Sequence, residues 1–475
     1  MLLFSLIIII ISCIFVLILY NIYMNTSIYN LFPPLLGHIS NWYKHIDRIK
    51  YMGFEWIYIN PITYPGFSGS LYAAKDYYKY NENFFSSAEA NIAEKELKDF
   101  LKYCKKNNIK VMIDLVINHS SKDSVLVDEH FEWYLLDDEG KLKSPGAWYN
   151  GVWIEWGDLA SFNNEKPEDG DNPIWSYWKE LILHNLSLGF DGFRCDAAYK
   201  VNKDLWIYLI DIAKTKKKDT VFFAESLGCS MEDTLSLIEA GFDYVASSAK
   251  WWDYESEWFI EQYDLAREKS KQIAFPSNHD TLRLINEYNG NIWQVMQRFL
   301  FTAIVCDMWM ITLGDEYGFY NRCDVVKGNE FENISYDLSE FIKDIGNYIK
   351  NNDILANCGK IVSIDLQEKK LIEELKKKLE NSQEENNINN DNEEEEKKNP
   401  LKRFYKYSLD EKDVVLIVIN TSEDKETLEI DKYNIIEDIS FNNRVNNFES
   451  GVVEFLPYQL KIFKVVKTIS YNLEG

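Results

Sequence analysis

The chain has 475 residues, enough for a large barrel domain together with a smaller second domain. Its formal net charge of −25 excludes nucleic acid and anionic lipid surfaces as general partners, because both require a basic footprint. Aromatic residues make up 15% of the chain, more than a core requires, and this surplus is compatible with stacking on sugar rings.

The first residues predict a membrane anchor. Residues 2–20 are apolar except for Ser5 and Ser12. A helix of this length can cross a bilayer. No basic residue precedes this run and no small-residue cleavage site follows it, so a retained anchor within residues 1–24 is favoured over a cleaved export signal. We expect an anchored or exported protein that faces outward, although the first basic residue, Lys44, lies too far away to set the orientation.

Seven cysteines form neither short-spaced pairs nor a CxxC motif. This pattern is unlike a zinc finger or a disulfide scaffold and predicts mostly free thiols in or near the core. Cys306 and Cys323 are the pair best placed for a bridge, and we do not expect one to form.

From Ser27 onward, strand-like and helix-like segments alternate. The alternation predicts parallel strands joined by helices. Eight strand-like segments occur in the order SIYNLF, FEWIYINPI, KVMIDL, FDGFRC, VFFAES, FDYVAS, IAFPSN and MWMITLG.

Four of these segments end in ionisable or amide side chains. In a parallel barrel the carboxyl ends of the strands meet at one face, where active sites are built. We therefore expect the following residues to lie close together: Asp114, Asn118 and His119; Arg194 and Asp196; Glu225; and Asn278, His279 and Asp280.

Two of the carboxylates differ in their local sequence. Arg194 and Asp196 fall on the same face of a strand, and the arginine favours the ionised carboxylate that a nucleophile requires. Glu225 instead follows three apolar residues with no basic neighbour, so its pKa can rise as a proton donor requires. We therefore expect these two carboxyl groups to differ, one charged and one protonated.

The four clusters resemble, in order and spacing, the signature regions of the α-amylase family of glycoside hydrolases (family 13). The resemblance implies an α/β fold, a (β/α)8 TIM barrel with a subdomain inserted after the third strand and a C-terminal antiparallel β-domain. It implies retaining hydrolysis of α-glucosidic bonds, mainly α-1,4, in glucans or malto-oligosaccharides. No cofactor is required, and calcium is the metal that the resemblance allows.

The resemblance also assigns roles. Asp196 is the expected nucleophile, Glu225 the acid/base and Asp280 the stabiliser that holds sugar hydroxyls. The expected substrate-binding residues are Tyr72, His119, Arg194, Lys200 and His279.

Asn118 is the expected calcium ligand. The chain departs from the family after the nucleophile, where Tyr199, Lys200 and Val201 replace a common Lys-His pair, and this departure argues against calcium. A metal site at His119, His279 and Asp280 is the rival interpretation, but no HxxH or HxH spacing supports zinc.

The predicted domains are a barrel at 25–350 with an insertion at 117–172, and a β-domain at 351–475. The insertion carries Trp133, Trp148, Trp153 and Trp156, which are candidates for lining a glycan cleft. The β-domain is interrupted by an acidic, low-complexity segment at about 368–400, which predicts disorder apart from a short charged helix.

Two alternatives stay open. A transglycosylase or maltosyltransferase uses the same barrel, because cleft loops decide whether water or a sugar accepts the glycosyl group. A non-catalytic, membrane-anchored amylase-like partner protein is the alternative from a different class. Oligomeric state is not determined by the sequence.

Deleting residues from about Gln383 to Lys398 should leave activity intact, because this stretch is too polar to contribute to a core. Product formation from maltoheptaose by the deletion variant and the full chain tests this. A marked loss of activity would show that the segment is more than a tolerated insertion.

Overall fold

The computed structural model describes residues 26–149, 151–166, 172–382, 399–442 and 451–466. The predicted anchor and residues 383–398 lie outside this part of the chain, so the predictions made for them stay predictions. Across the described ranges, no helix combines the length and the apolar character needed to cross a membrane.

Twenty-one strands are present among the described residues. In chain order they are β1 (Thr26–Leu31), β2 (Trp56–Ile59), β3 (Thr63–Pro65), β4 (Ala74–Tyr80), β5 (Lys110–Leu115), β6 (His119–Ser121), β7 (Gly146–Tyr149), β8 (Val152–Glu155), β9 (Leu159–Ser161), β10 (Gly192–Cys195), β11 (Val221–Ala224), β12 (Tyr244–Ala246), β13 (Lys271–Ala274), β14 (Met308–Thr312), β15 (Ile361–Ser363), β16 (Leu401–Tyr407), β17 (Val414–Asn420), β18 (Glu426–Glu429), β19 (Ile435–Asp438), β20 (Val452–Phe455) and β21 (Leu460–Val465).

Eight strands close into a parallel barrel in the order β1-β14-β13-β12-β11-β10-β5-β2. Each barrel strand therefore lies beside the next barrel strand in the sequence, and β1 pairs with β14 to close the ring. The predicted (β/α)8 fold is confirmed. The longer helices around the barrel are Ala90–Lys106, Pro173–Leu188, Lys203–Lys216 and Ile292–Val305. Shorter ones include Tyr43–Tyr51, Met231–Ala240, Glu257–Arg267 and Ser339–Lys350.

Alternation along the strands divides the core into two layers. In β2, Trp56 and Tyr58 pack inside the barrel with Met112 and Met310, whereas Ile57 and Ile59 join the larger core beneath the helices. Because both faces are covered, the barrel strands are largely apolar and buried on both sides, as parallel sheets usually are. Most of their charged side chains lie at or near the strand ends.

The described residues between β5 and the helix Pro173–Leu188 form small antiparallel pairs, β6 with β9 and β7 with β8, and a short helix, Val125–Glu129. Trp153 and Trp156 are exposed here, but Trp133 is buried. The expectation that Trp133 lines a cleft is wrong, because its ring is stacked against His130 and packs on Tyr177.

The C-terminal region is an antiparallel sheet of five strands, β15-β16-β17-β21-β19, accompanied by the pair β18-β20. It packs on the barrel, since Phe404 of β16 contacts Trp252 with ring centroids 5.6 Å apart. The six described cysteines, Cys306 and Cys323 among them, are free thiols.

The short charged helix expected at the beginning of the acidic segment is part of a longer helix, Ile364–Ser382, which starts before residue 368. Arg403 of β16 anchors the beginning of this helix. Its guanidinium donates to Asp365 (2.5 Å) and Glu368 (2.5 Å), and also to the Tyr433 hydroxyl (2.9 Å). An ion pair with a residue beyond the acidic segment is not visible in local composition, which is why the sequence did not predict the earlier start of this helix.

Replacing Arg403 with Ala should lower the free energy of unfolding by about 3 kcal/mol, because it leaves the buried Asp365 carboxylate without its cation. Urea denaturation of the variant and the parent chain measures this. Lys412→Ala is the matched control, since its pair with Asp410 is exposed and contributes little. Equal effects of the two substitutions would contradict the anchoring role.

Candidate active site

The barrel brings together the side chains that follow β5, β10, β11 and β13. Three of these strands, β5, β10 and β11, are direct neighbours, and their register pairs Arg194 with Asp114 and with Phe223. The charged groups therefore meet at the carboxyl ends of the strands, in the place where barrel enzymes bind their substrates.

Arg194 is the centre of the charge network. Its Nη1 atom donates to Oδ1 and Oδ2 of Asp114 (3.0 and 3.1 Å) and to Oδ1 of Asp196 (2.7 Å). The side chains of Arg194 and Asp114 are buried, while that of Asp196 is 14% exposed. Asp196 thus combines a charged partner with partial exposure of its side chain.

Asp114 is held by its surroundings on every side. Tyr58 and Tyr72 donate hydroxyl hydrogen bonds to its Oδ2 atom, the second at 2.7 Å. Burial raises the pKa of Asp114 to about 6, although Arg194 opposes the rise. With all its oxygen positions engaged by protein groups, Asp114 orients Arg194 rather than meeting a substrate.

Glu225 is held by two backbone N–H groups. Ala197 N donates to Oε2 (2.9 Å) and Leu227 N donates to Oε1 (2.8 Å). Burial raises the pKa of Glu225 to about 7; Arg194 opposes this and Asp196 adds to it. The site therefore contains an ion-paired aspartate and a glutamate with a raised pKa on adjacent strands.

The backbone between these two carboxylates is strained. Ala197 has φ 39° and ψ 48°, a left-handed conformation that is uncommon for a residue with a Cβ atom. This turn directs the Ala197 N–H towards Glu225 immediately after Asp196. Strain of this kind persists where the surrounding structure holds it, often at functional sites.

His119 and His279 lie on either side of Tyr72. His119 Nε2 is 3.1 Å from the Tyr72 carbonyl oxygen, and His279 Nε2 is 2.6 Å from the Tyr72 hydroxyl. Burial lowers the pKa of both rings, which favours neutral imidazoles. Among the described residues, the buried Nδ1 atoms of both have no protein partner. Since each Nε2 is placed as a donor, each Nδ1 is an acceptor available to a hydroxyl group.

Asp280 is the most accessible of the three expected catalytic carboxylates. Its side chain is 57% exposed, and Oδ2 is 3.2 Å from His279 Nε2. Its backbone N–H donates to the Asn278 side chain (2.9 Å), which holds the turn after β13. A small cavity lies next to this turn and is lined by Glu225, Arg194 and His279 among others.

Tyr72 and Lys200 occupy different surroundings. The Tyr72 ring is parallel to that of His279, with centroids 5.4 Å apart, which places Tyr72 at the centre of the site. Lys200 is exposed and its ammonium lies 5.1 Å from the centre of the Tyr199 ring. The structure therefore puts Tyr72 among the charged residues and Lys200 at the surface.

The side-chain oxygen of Asn118 is the atom that would bind calcium. Its Oδ1 atom is buried without a hydrogen-bond partner, as a metal ligand can be in the absence of the ion. Calcium takes six to eight oxygens, usually with several carboxylates. Within the described ranges, no group of three or more His, Cys, Asp or Glu side chains is placed to hold a metal ion, which also removes support for the rival site at His119, His279 and Asp280. The described residues do not fit a calcium site.

Three contributors were missed from the sequence. Tyr58 binds Asp114, and Asn60 donates to the Tyr72 hydroxyl (3.0 Å). Arg283 is buried and donates to Asp315 (3.0 Å) and to the Leu313 carbonyl (2.9 Å), which fixes the turn containing Asp280 to the end of β14. The available signal was polar residues in an apolar strand, Tyr58 and Asn60 in WIYIN, and an arginine three positions after Asp280.

Comparisons with known proteins show similarity to amylases and glucan transferases. A family model described as "Glycogen debranching enzyme, glucanotransferase domain" matches residues 21–135. An α-1,4-glucan:maltose-1-phosphate maltosyltransferase from Burkholderia pseudomallei is 23% identical over 293 residues, covering 60% of this chain and 25% of the relative. A maltogenic α-amylase from Bacillus acidopullulyticus is 23% identical over 363 residues, covering 69% of this chain and 58% of the relative.

Among solved structures, an α-amylase from Lactobacillus plantarum aligns with a TM-score of 0.66 at 18% identity, over 94% of this chain and 99% of that one. This likeness concerns the fold. The chain spans about a quarter of the length of the Burkholderia maltosyltransferase.

Proposed function

The chain belongs to the α-amylase family of glycoside hydrolases, and from this premise we propose that it is a retaining hydrolase of α-glucosidic bonds, mainly α-1,4, in glucans or malto-oligosaccharides. The observation that carries the proposal is the pair of unlike carboxyl groups on adjacent strands. Asp196 is ion-paired with Arg194, and Glu225 has a pKa raised by burial to about 7. Retaining hydrolysis needs one carboxyl group of each kind.

In the first step, Asp196 attacks the anomeric carbon while Glu225 protonates the departing glycosidic oxygen. Arg194 orients the nucleophile through its 2.7 Å hydrogen bond. The two backbone N–H groups hold the carboxyl group of Glu225 in place. Asp280, His119 and His279 bind sugar hydroxyls, which uses the exposed carboxylate and the two unpartnered ring nitrogens.

In the second step, Glu225 acts as the base. It takes a proton from water, whose oxygen attacks the anomeric carbon and releases Asp196. Retention requires the two carboxyl groups to lie about 5 Å apart, and that separation stays a prediction for this chain.

The second candidate function is glycosyl transfer, in which a sugar hydroxyl replaces water in the second step. It is favoured by one specific observation, the similarity to a relative named as a maltosyltransferase. Both candidates use the same residues in the first step, so only the acceptor distinguishes them. For either function we propose an anchored or exported protein, on the basis of the apolar residues 2–20.

Product analysis from maltoheptaose, with and without added maltose, tests the proposal. Shorter maltodextrins with a new reducing end from every cleavage support hydrolysis, whereas products longer than the substrate support transfer. If the full chain cleaves nothing, a non-catalytic amylase-like partner protein becomes the leading interpretation.

Asp196→Asn and Glu225→Gln should separate the two catalytic roles. Asp196→Asn cannot form the glycosyl-enzyme, so turnover of all substrates should fall by about 10⁴-fold or more. Glu225→Gln should retain much of its first-step rate on an activated aryl α-glycoside, because a good leaving group needs little protonation. Burst and steady-state kinetics on that substrate measure the difference.

Azide provides the control for this comparison. It attacks the glycosyl-enzyme without help from a base, so it should accelerate Glu225→Gln and leave Asp196→Asn unchanged. Equal losses on natural and activated substrates in both variants would contradict the assignment of roles.

The pH dependence follows from Glu225. The first step needs its protonated form, which predominates below its pKa of about 7, so kcat/KM for maltoheptaose should decline as the pH rises through about 7. With Glu225→Gln on the activated aryl glycoside, this basic limb should disappear from the first step. A basic limb that persists in that variant would assign the titration to another group.

A further inference from the structure

Trp251 is an exposed aromatic residue in an otherwise buried turn. It ends the short helical turn Ser248–Trp251, which follows β12. Ser248, Ala249 and Lys250 are buried, and the next residue, Trp252, is 1% exposed. Trp251 itself is 47% exposed. The two adjacent tryptophans therefore differ in burial, with Trp252 in the core and Trp251 at the surface.

Trp251 follows a strand that neighbours the one preceding Glu225, the proposed acid/base. β12 lies between β11, which precedes Glu225, and β13, which precedes His279. The Trp251 ring packs edge-on against Phe275, with centroids 6.1 Å apart and an interplanar angle of 89°. Phe275 lines the same cavity as Glu225 and His279. Trp251 thus lies one ring away from the cavity, in the turn after the strand that lies between those preceding Glu225 and His279.

The turn that carries Trp251 is held firmly. Lys250 is buried and pairs with Glu287 at 2.6 Å. Ser247 N donates to Ile273 O (2.9 Å), which ties the beginning of the turn to β13. An aromatic ring on a fixed turn loses little freedom when a ligand stacks on it, so its contact can contribute fully to binding.

We propose that Trp251 is a stacking platform for the acceptor sugar, the glucosyl unit on the leaving-group side of the bond that is cleaved. This inference rests on the proposed function. The sugar that Glu225 protonates departs on the side of Glu225, where the flat face of an indole matches the C–H face of a glucose ring. The ligand is an α-linked glucose oligomer, which is uncharged and therefore needs no basic surface.

Stacking on Trp251 also positions an acceptor sugar for glycosyl transfer. When the second sugar binds there, its hydroxyl oxygen attacks the anomeric carbon, the bond to Asp196 breaks, and the hydroxyl proton passes to Glu225. Water and sugar compete for one intermediate, so an occupied platform shifts the outcome towards transfer. Trp251 is a specificity-determining residue in this proposal, and the three carboxylates perform the chemistry.

The test compares Trp251→Ala with the parent chain in two measurements. The first is the ratio of transfer products to hydrolysis products from maltoheptaose with added maltose, which reports on the acceptor alone because both products come from the same intermediate. We expect the ratio to fall about five- to tenfold, the effect of losing one aromatic contact. Trp251→Phe should restore most of it.

The second measurement is the affinity of the inactive Asp196→Asn chain for maltotriose, by isothermal titration calorimetry, with and without Trp251→Ala. We expect the affinity to weaken by a similar factor. Trp258→Ala is the matched control in both measurements. Trp258 is also exposed, but it lies on the helix Glu257–Arg267, whose first residue pairs with Lys370 of the C-terminal domain.

The outcomes are distinct. Loss in both measurements with Trp251→Ala but not Trp258→Ala supports the platform. An unchanged product ratio and an unchanged affinity overturn it and leave the proposed function standing, provided that the parent chain cleaves maltoheptaose. If the parent chain cleaves nothing, the proposed function fails, and the calorimetric comparison alone decides whether Trp251 binds the sugar.

Discussion

The shared hydrogen bonds of Arg194 organise the mouth of the barrel. One guanidinium nitrogen contacts both oxygens of Asp114 and one oxygen of Asp196, so two carboxylates on neighbouring strands depend on a single cation. Burying such a group is costly unless its partners remain, and removing one partner of a buried pair typically costs about 3–5 kcal/mol. The position of the expected nucleophile and the packing of the barrel end are therefore linked.

The three carboxyl groups around this cation differ because their surroundings differ. Asp114 is fully enclosed, with tyrosine hydroxyls on one oxygen, and its pKa rises through burial. Glu225 receives two backbone N–H groups and its pKa also rises through burial. Asp196 is partly open and directly paired with Arg194. One arginine and three different surroundings thus give three unlike carboxyl groups, as the proposed division of catalytic roles requires.

Tyr72 joins this charge network to His279 and His119. Its single hydroxyl proton goes to Asp114, so the hydroxyl accepts from Asn60 and from His279. That arrangement sets the tautomer of His279 and leaves its Nδ1 atom as an acceptor. The loop after β2, the turn after β13 and the ends of β5 and β10 are consequently parts of one hydrogen-bonded unit.

The amino-acid sequence by itself determined the barrel and the residues at its mouth. Apolar strands buried on both faces admit charges only at their ends, so Asp114, Arg194, Asp196, Glu225 and Asp280 were identifiable from where each strand stops. The helices were equally predictable from their alternation with those strands, because local patterns specify local structure.

Only the tertiary structure decided which residues hold the carboxylates at the mouth of the barrel. Tyr58, Asn60 and Arg283 are distant in sequence from the carboxylates that they hold or position, and their contacts exist only once the barrel closes. The same reason explains the helix at 364–382, which is held by Arg403 from a strand that lies beyond an acidic stretch. Whether an aromatic ring is buried, as Trp133 and Trp252 are, or exposed, as Trp251 is, depends on packing between elements. A sequence records the composition of such contacts, but their geometry arises from the folded chain.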